Sequence, residues 1–358
     1  MHTRTFKIAS VLCATALIGS SALFGCSTAT NESPASSAAI QAEQTEDRIV
    51  TDMRGDEVTV PADANTIMTV NSVATQMVLM VGGEDAAATL GRGFNYADGS
   101  LNKSMFPNLG DRPTITGTDV TVENVAAINP GLVLNGDDDT IEALRDAGIP
   151  TAYVSVNNPE DIVEAVNLIG DALGGEAAEK AAAYEQAYTQ ALEDTRAISA
   201  NLAEDEKPVV LYMRSTETTT GTNSMADNWI TAAGGINAAA TIGLEGSGVD
   251  INAETIMNLN PDIIICENQD TVDSFLNEAA YSELSAVKAG KVYAAPFGTA
   301  VWSMGTAETL LQLSWAGTII NPDLYADVDL DGKTRDFFKE FYGYDLSDEE
   351  LDTIFHRA

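Results

Sequence analysis

The sequence predicts an α/β protein: two α/β lobes with mostly parallel sheets, joined by a single long α-helix. Three observations predict it. Apolar strand-like runs alternate with helical runs in both halves, the pattern of a parallel sheet with crossover helices. Between the halves, the 31 residues from Glu176 to Glu206 contain no Gly or Pro. And one unit occurs twice, as "VENVAAINPGLVLNG" from Val122 and "AETIMNLNPDIIICEN" from Ala253. Glu123 and Glu254 are 131 positions apart, as are Asn129-Pro130 and Asn260-Pro261.

The elements follow in order. Residues 1–25 combine a short basic start, "MHTRTFK", with the apolar run "IASVLCATALIGSSALF", as a signal peptide does. The "LFGC" that follows resembles the lipobox of bacterial lipoproteins, which would make Cys26 the lipid-bearing first mature residue. Residues 26–46 are rich in Ser, Ala and Thr and predict a flexible tether. "RIVTDMRGDEVTVP" predicts a hairpin turning at "RGDE". Then come a strand "TIMTVN", a helix "SVATQMVLMVGG", a strand "AATLG", the first copy of the repeated unit, a helix "DDDTIEALRDAG" and a strand "TAYVSV". The acids that open "DDDTIEALRDAG" suit the dipole at a helix N-terminus. These elements make an N-terminal lobe over 47–174.

The Gly- and Pro-free stretch is rich in Ala, Glu, Gln and Leu, all strong helix formers, and predicts a bridging helix over 175–206. At about 1.5 Å per residue it would span roughly 45 Å. Residues 207–358 alternate again: "VVLYMR", "SMADNWITAAGG", the second repeated unit, "KVYAAP" and "TAETLLQLSWAGTII". Two helical pieces, "TRDFFKEFYG" and "SDEELDTIFHR", close the chain, the latter with a Ser347–Glu350 capping box.

Charge narrows the function. The chain of 358 residues carries 18 Lys+Arg against 54 Asp+Glu, a formal net charge of -36. Such a surface repels phosphate backbones and anionic lipid headgroups, which argues against nucleic acid as a partner and leaves the N-terminal lipid as the membrane contact. Of the three cysteines, Cys13 lies in the signal peptide and Cys26 at its end, so Cys266 alone is left in the body, with no internal disulfide to form. In "DIIICEN" it reads as a small core residue.

Enzyme signatures do not assemble. The two histidines are His2 and His356, so no Ser-His-Asp set is available. Neither a G-x-S-x-G elbow nor a phosphate-binding G-x-x-x-x-G-K-[ST] loop occurs, and "GRGFNY" lacks the third Gly of a dinucleotide fingerprint. "DVDLDG" from Asp327 imitates a calcium loop but places Phe338 where the bidentate acid belongs. "GDDDT" from Gly136 suits a helix start rather than a metal. One C-terminal His cannot build a site for a naked transition ion. The expectation is a protein that is not an enzyme and has no cofactor of its own; an extracellular hydrolase or an adhesin is the lesser alternative.

The chain resembles the ABC-transporter substrate-binding lipoproteins that carry ferric siderophores, haem or cobalamin, the class III periplasmic binding proteins. The resemblance rests on "LFGC", on Asp52, Gly55, Val58, Val60 and Pro61, on the two Glu…Asn-Pro units, on the long helix, and on "ITAAGGINAA" and "GKVYAAP". It implies a lipid-anchored, extracytoplasmic carrier that delivers a small-molecule metal complex to a permease dimer without chemistry of its own. It also implies that Glu123 and Glu254 are docking carboxylates, one per lobe. A ferric chelate is the first expectation for the ligand; cobalamin, haem and a molybdate-type oxyanion are the alternatives.

In open α/β sheets ligands collect beyond the carboxyl ends of strands. Those ends place Asn71, Arg92, Phe94, Tyr96 and Asn135 in the first lobe, and Tyr212, Arg214, Glu267 and Trp302 in the second. Arg92 and Arg214 suit an anionic ligand, the aromatic residues suit cleft walls, and Tyr96 or Tyr212 could serve as a haem ligand.

Overall fold

The computed structural model describes residues 46–357. The signal peptide, Cys26 and the tether before Glu46 lie outside the described residues. The hairpin forms as its sequence predicts, with β1 (Arg48–Thr51) antiparallel to β2 (Glu57–Val60). Asp52 anchors it. Its buried carboxylate accepts the N–H groups of Arg54 at 2.9 Å, Asp56 at 3.0 Å and Tyr153 at 3.0 Å, and an Arg145 guanidinium N–H at 2.6 Å.

The first half then runs β3 (Ile67–Thr69), α1 (Ser72–Ala86), β4 (Leu90–Gly91), α2 (Leu101–Met105), β5 (Thr114–Ile115), α3 (Val122–Ile128), β6 (Leu132–Asn135), α4 (Asp138–Asp146), β7 (Thr151–Tyr153) and α5 (Pro159–Leu173). Its sheet is parallel throughout, in the order β3-β6-β7. α1 is broken at Gly83, whose φ of +69° leaves helical space where "VGG" predicts a stop. α5 is an element that the strand-to-helix alternation does not anticipate. Pro159 at its first position and the Asn158–Asp161 capping box start it, and eight of its residues are buried.

α6 (Gly175–Ser199) is the longest helix described, at 25 residues or about 37 Å. It stops short of the predicted Glu206. Glu204, Asp205 and Glu206 form a separate 3-10 turn, and three acids at a helix C-terminus would oppose its dipole. Tyr184 and Tyr188 face inward from α6, and Tyr184 donates its hydroxyl to Ala307 O at 2.9 Å.

The second half comprises β8 (Val209–Ser215), β9 (Thr218–Thr220), α7 (Met225–Ala232), β10 (Ile236–Asn237), α8 (Ala238–Thr241), β11 (Ser247–Asp250), α9 (Ala253–Leu259), β12 (Ile263–Cys266), α10 (Gln269–Asn277), α11 (Ser285–Lys288), β13 (Val292–Ala294), α12 (Thr309–Ile320), α13 (Leu330–Tyr342) and α14 (Asp348–Ile354). Strands β10, β8, β12 and β13 are parallel, while β9 and β11 add an antiparallel edge. Cys266 is fully buried in β12, and burial pushes its thiol up, which fits the core role. The Ser347–Glu350 capping box forms in both directions. Asp329, inside "DVDLDG", caps α13 by accepting Gly332 N–H at 2.9 Å.

The repeated unit is a structural repeat. Thr121 caps α3 and Asn252 caps α9, each accepting the N–H three residues on. Both helices have seven residues and bury one equivalent side chain, Val125 or Ile256. Both end on an asparagine in the left-handed region, Asn129 at φ 52° and Asn260 at φ 40°. A proline and a four-residue buried strand follow in each. Asn is the residue other than Gly that adopts this conformation most readily, and Pro then forbids the helix to continue.

The core does not stop at either half. Phe106 packs edge-on against Tyr342 of α13 at 5.9 Å, and Tyr184 of α6 against Phe341 at 5.7 Å. A Cβ at Gly305 would lie 2.9 Å from Val156 Cγ1, so the two halves meet there over a glycine at φ +76°.

Candidate functional site

The candidate ligand residues lie at or beyond the carboxyl ends of β3, β4, β6, β8, β12 and β13, and their packing decides which remain available. Asn71 follows β3 and caps α1, its Oδ1 accepting Ala74 N–H at 2.9 Å. Arg92 follows β4 and is exposed, bridged to Asn71 through the backbone. Among the described residues no carboxylate lies within 4.0 Å of its guanidinium. Phe94, two residues on, is half-buried against the core. Tyr96 is half-buried and donates its hydroxyl to Phe106 O at 2.6 Å, with the Lys103 ammonium 5.7 Å from its ring centroid. Asn135 ends β6 and is 6% exposed, its Oδ1 accepting Asp137 N–H at 3.2 Å.

In the second half, Arg214 and Glu267 stand one residue beyond the paired Met213 and Cys266, which makes them neighbours. Arg214 Nε donates to Glu267 Oε2 at 3.0 Å, with side chains 34% and 24% exposed. The candidate cation therefore already has an anion.

Two expected cleft walls belong to the core. Tyr212 is 1% exposed, shares a 2.8 Å hydrogen bond with Ser303 Oγ and packs edge-on against Trp229 at 5.5 Å. β8 is covered on both faces, Val210 and Tyr212 packing into one apolar cluster and Leu211 and Met213 into another, so no position in its middle reaches solvent. Trp302 is fully buried, its indole N–H donating to Glu308 Oε2 at 2.8 Å. Its place in a loop suggests a cleft wall, but the buried carboxylate draws the indole inward. Of the two tyrosines expected as possible haem ligands, Tyr212 is buried and Tyr96 is half-buried.

A polar network that the sequence hides in its 54 acids lies beneath this loop. Glu308 is fully buried and accepts Thr299 N–H at 3.1 Å, Thr299 Oγ1–H at 2.5 Å and Tyr342 O–H at 3.2 Å as well as the Trp302 indole. Burial pushes its carboxyl up, outweighing the donors. Above it, Phe297 is 38% exposed just past β13, the aromatic that this strand end does present. An exposed aromatic among buried ones is the signal that the sequence alone cannot give.

Glu123 and Glu254 are exposed in the first turns of α3 and α9. A cavity of about 660 Å³ adjoins the second, lined by Glu217, Ile242, Asp250, Asn252 and Glu278 among others. It contains none of the candidate ligand residues. Of the acids in "GDDDT", Asp137 caps α4 and Asp138 pairs with Arg54. No group of three His, Cys, Asp or Glu side chains among the described residues could hold a metal ion.

Parallel sheets in both halves with strand ends opening toward loops are the architecture of a two-lobed α/β binding protein. Residues 67–298 match the periplasmic binding protein family, and the chain belongs to it: it is an ABC-type solute-binding protein of an extracytoplasmic family. Among its relatives, an ABC transporter substrate-binding lipoprotein of Bacillus subtilis is 25% identical over 249 residues, covering 66% of this chain and 77% of the relative. The molybdate-binding protein MolA of Haemophilus influenzae is 24% identical over 330 residues, covering 83% and 91%. A periplasmic solute binding protein from Veillonella parvula superposes with a TM-score of 0.75 at 29% identity, covering 87% of this chain and 97% of that one.

Proposed function

We propose that this chain is a lipid-anchored carrier, attached through Cys26, that captures an anionic metal complex and delivers it to an ABC permease dimer. A ferric chelate such as a ferric siderophore is the first reading. The observation that carries the anionic assignment is Arg92: an exposed guanidinium at a strand end, without a carboxylate within 4.0 Å among the described residues, in a chain of net charge -36. An anion approaching so acidic a surface needs a local cation, and guanidinium holds oxyanions and carboxylates through paired charge-assisted hydrogen bonds. Asn71, Phe94 and Phe297 are the proposed further contacts, and Arg214 would become a second cation for the ligand when its bond to Glu267 opens.

A molybdate-type oxyanion is the second reading. The MolA relative favours it, and so does the loss of Tyr212 and Trp302 as walls, because a small tetrahedral anion needs less aromatic surface. Cobalamin stays a third ligand class.

Delivery follows from a population shift: ligand favours the closed arrangement of the lobes, and the permease binds that state best. Glu123 and Glu254 are the proposed docking carboxylates, matched in position by the structural repeat, so that two similar lobes meet two similar permease subunits. The test is titration of the purified chain with ferric chelates, molybdate, cobalamin, haem and free metal ions, read by tryptophan fluorescence. Saturable binding of an anionic complex that weakens in Arg92→Ala supports the proposal. Binding that ignores Arg92 would overturn the anion site, and no binding at all would overturn the carrier reading.

A further inference from the structure

We infer that Asn102 is a positioning residue of the cleft, tying the Arg92–Tyr96 loop of the first half to the Phe297–Trp302 loop of the second. The inference rests on the carrier reading above. Asn102 is 1% exposed in α2. Its Nδ2 donates two hydrogen bonds, to Asn95 O at 3.0 Å and to Thr299 O at 2.8 Å. The two acceptors belong to different halves, and each sits inside a loop that carries a candidate ligand contact. Only an amide nitrogen of this length supplies both donors from one atom. Turned over, the amide would set its own oxygen against two carbonyl oxygens, so the contact fixes its orientation.

Thr299 is held from every side. Its N–H and hydroxyl go to Glu308, and its Oγ1 accepts Gln76 Nε2–H at 2.9 Å. Gln76 in turn accepts Ala307 N–H at 2.9 Å through Oε1. Thr299 is thus a fixed post of the second half, and Asn102 is the rod that sets the Arg92 loop against it. The distance from Arg92 and Phe94 to Phe297 follows from that rod. On the carrier reading that separation would be the aperture admitting the ligand, which would make Asn102 a determinant of ligand size.

Gln76 supplies the control. It also crosses between the halves onto Thr299, yet among the described residues its side chain makes no hydrogen bond to the Arg92–Tyr96 loop. A merely structural role would make the two positions behave alike.

The experiment compares Asn102→Ala and Gln76→Leu in the full chain, with Asn102→Ser as the substitute if the alanine variant does not fold. Hydrogen exchange is measured by segment without ligand. Dissociation rates are measured with sodium molybdate and with a ferric hydroxamate chelate as probes. The expected result is faster exchange in both 92–96 and 297–302 for the Asn102 variant, and in 297–302 alone for Gln76→Leu. The Asn102 variant should also release whichever probe the wild type binds about threefold to tenfold faster, the worth of one net hydrogen bond, and discriminate less between the two. Unchanged exchange in 92–96 overturns the tie. Faster exchange with unchanged release overturns the positioning role. A wild type that binds neither probe counts against the anionic-ligand reading instead, and the exchange data then decide the tie alone.

Discussion

Arg214 Nε stands 3.0 Å from Glu267 Oε2, so two neighbouring strand-end residues neutralise each other before any ligand arrives. Arg92 has no such partner among the described residues. The two arginines should therefore behave differently. Arg92→Ala is expected to weaken binding of an anionic ligand by roughly tenfold to a hundredfold, the worth of a charge-assisted hydrogen bond of about 1.5–3 kcal/mol. Arg214→Ala should cost less, and Glu267→Gln should tighten binding by freeing the guanidinium. Calorimetric dissociation constants for the three variants check the order.

Glu123 and Glu254 sit in matching first turns, exposed and outside the cleft residues. The double change Glu123→Arg with Glu254→Arg is expected to abolish uptake while leaving the ligand dissociation constant unchanged. Each acid favours its helix dipole by about 0.3–1 kcal/mol, so a small drop in melting temperature accompanies the loss. Lost affinity in the purified double variant would remove both residues from the docking role.

The buried Trp302–Glu308 pair turns a cleft expectation into a stability one. Trp302→Ala should destabilise the fold by about 3–5 kcal/mol and leave Glu308 short of a donor. Glu308 also sets a pH dependence. Its folded carboxyl is pushed up by burial from an ordinary value of 4.5, so the folded state holds the proton longer. Stability from this group is highest below 4.5 and falls as pH rises through the folded value. Glu308→Gln should flatten that slope, which parallel thermal melts of wild type and variant from pH 4 to 8 would reveal.

Asp52 works in the opposite sense. Burial alone would raise its carboxyl, but the N–H groups of Tyr153, Arg54 and Asp56 and the Arg145 guanidinium hold it below its ordinary value of 3.8. Its contribution is complete above 3.8 and is lost as pH falls through the lower folded value. Asp52→Asn should lose part of the wild type's steepness in acid unfolding, and should weaken the hairpin at every pH. An acid-unfolding curve with the same slope in both proteins would contradict this.

The repeat was legible because its signals are local. The Glu and the Asn-Pro stand at the same spacing in both copies, while the caps Thr121 and Asn252 that complete each unit within ten positions emerge with the structure. α5 offered the same kind of signal in Asn158, Pro159 and Asp161, which the alternation of strands and helices passes over. The cleft was less legible. Whether Tyr212, Trp302 or Phe297 faces solvent depends on what lies beneath, and beneath Trp302 lies Glu308, six residues on and fully buried. Nothing local marks one acid among 54 as internal. Asn102 is harder still, since its partner Thr299 is 197 residues away.

The contacts of α13 with the first half have a consequence for biosynthesis. Phe106 finds its partner Tyr342 near the end of the chain, and Asn102 finds Thr299 scarcely earlier. A chain emerging from its N-terminus therefore carries an unfinished first half through most of its synthesis and export. The apolar side chains destined for α13 stay open to holding factors and proteases until the last helices arrive. A chain truncated after Ile320 is expected to bind a hydrophobic dye strongly, where the complete chain does not.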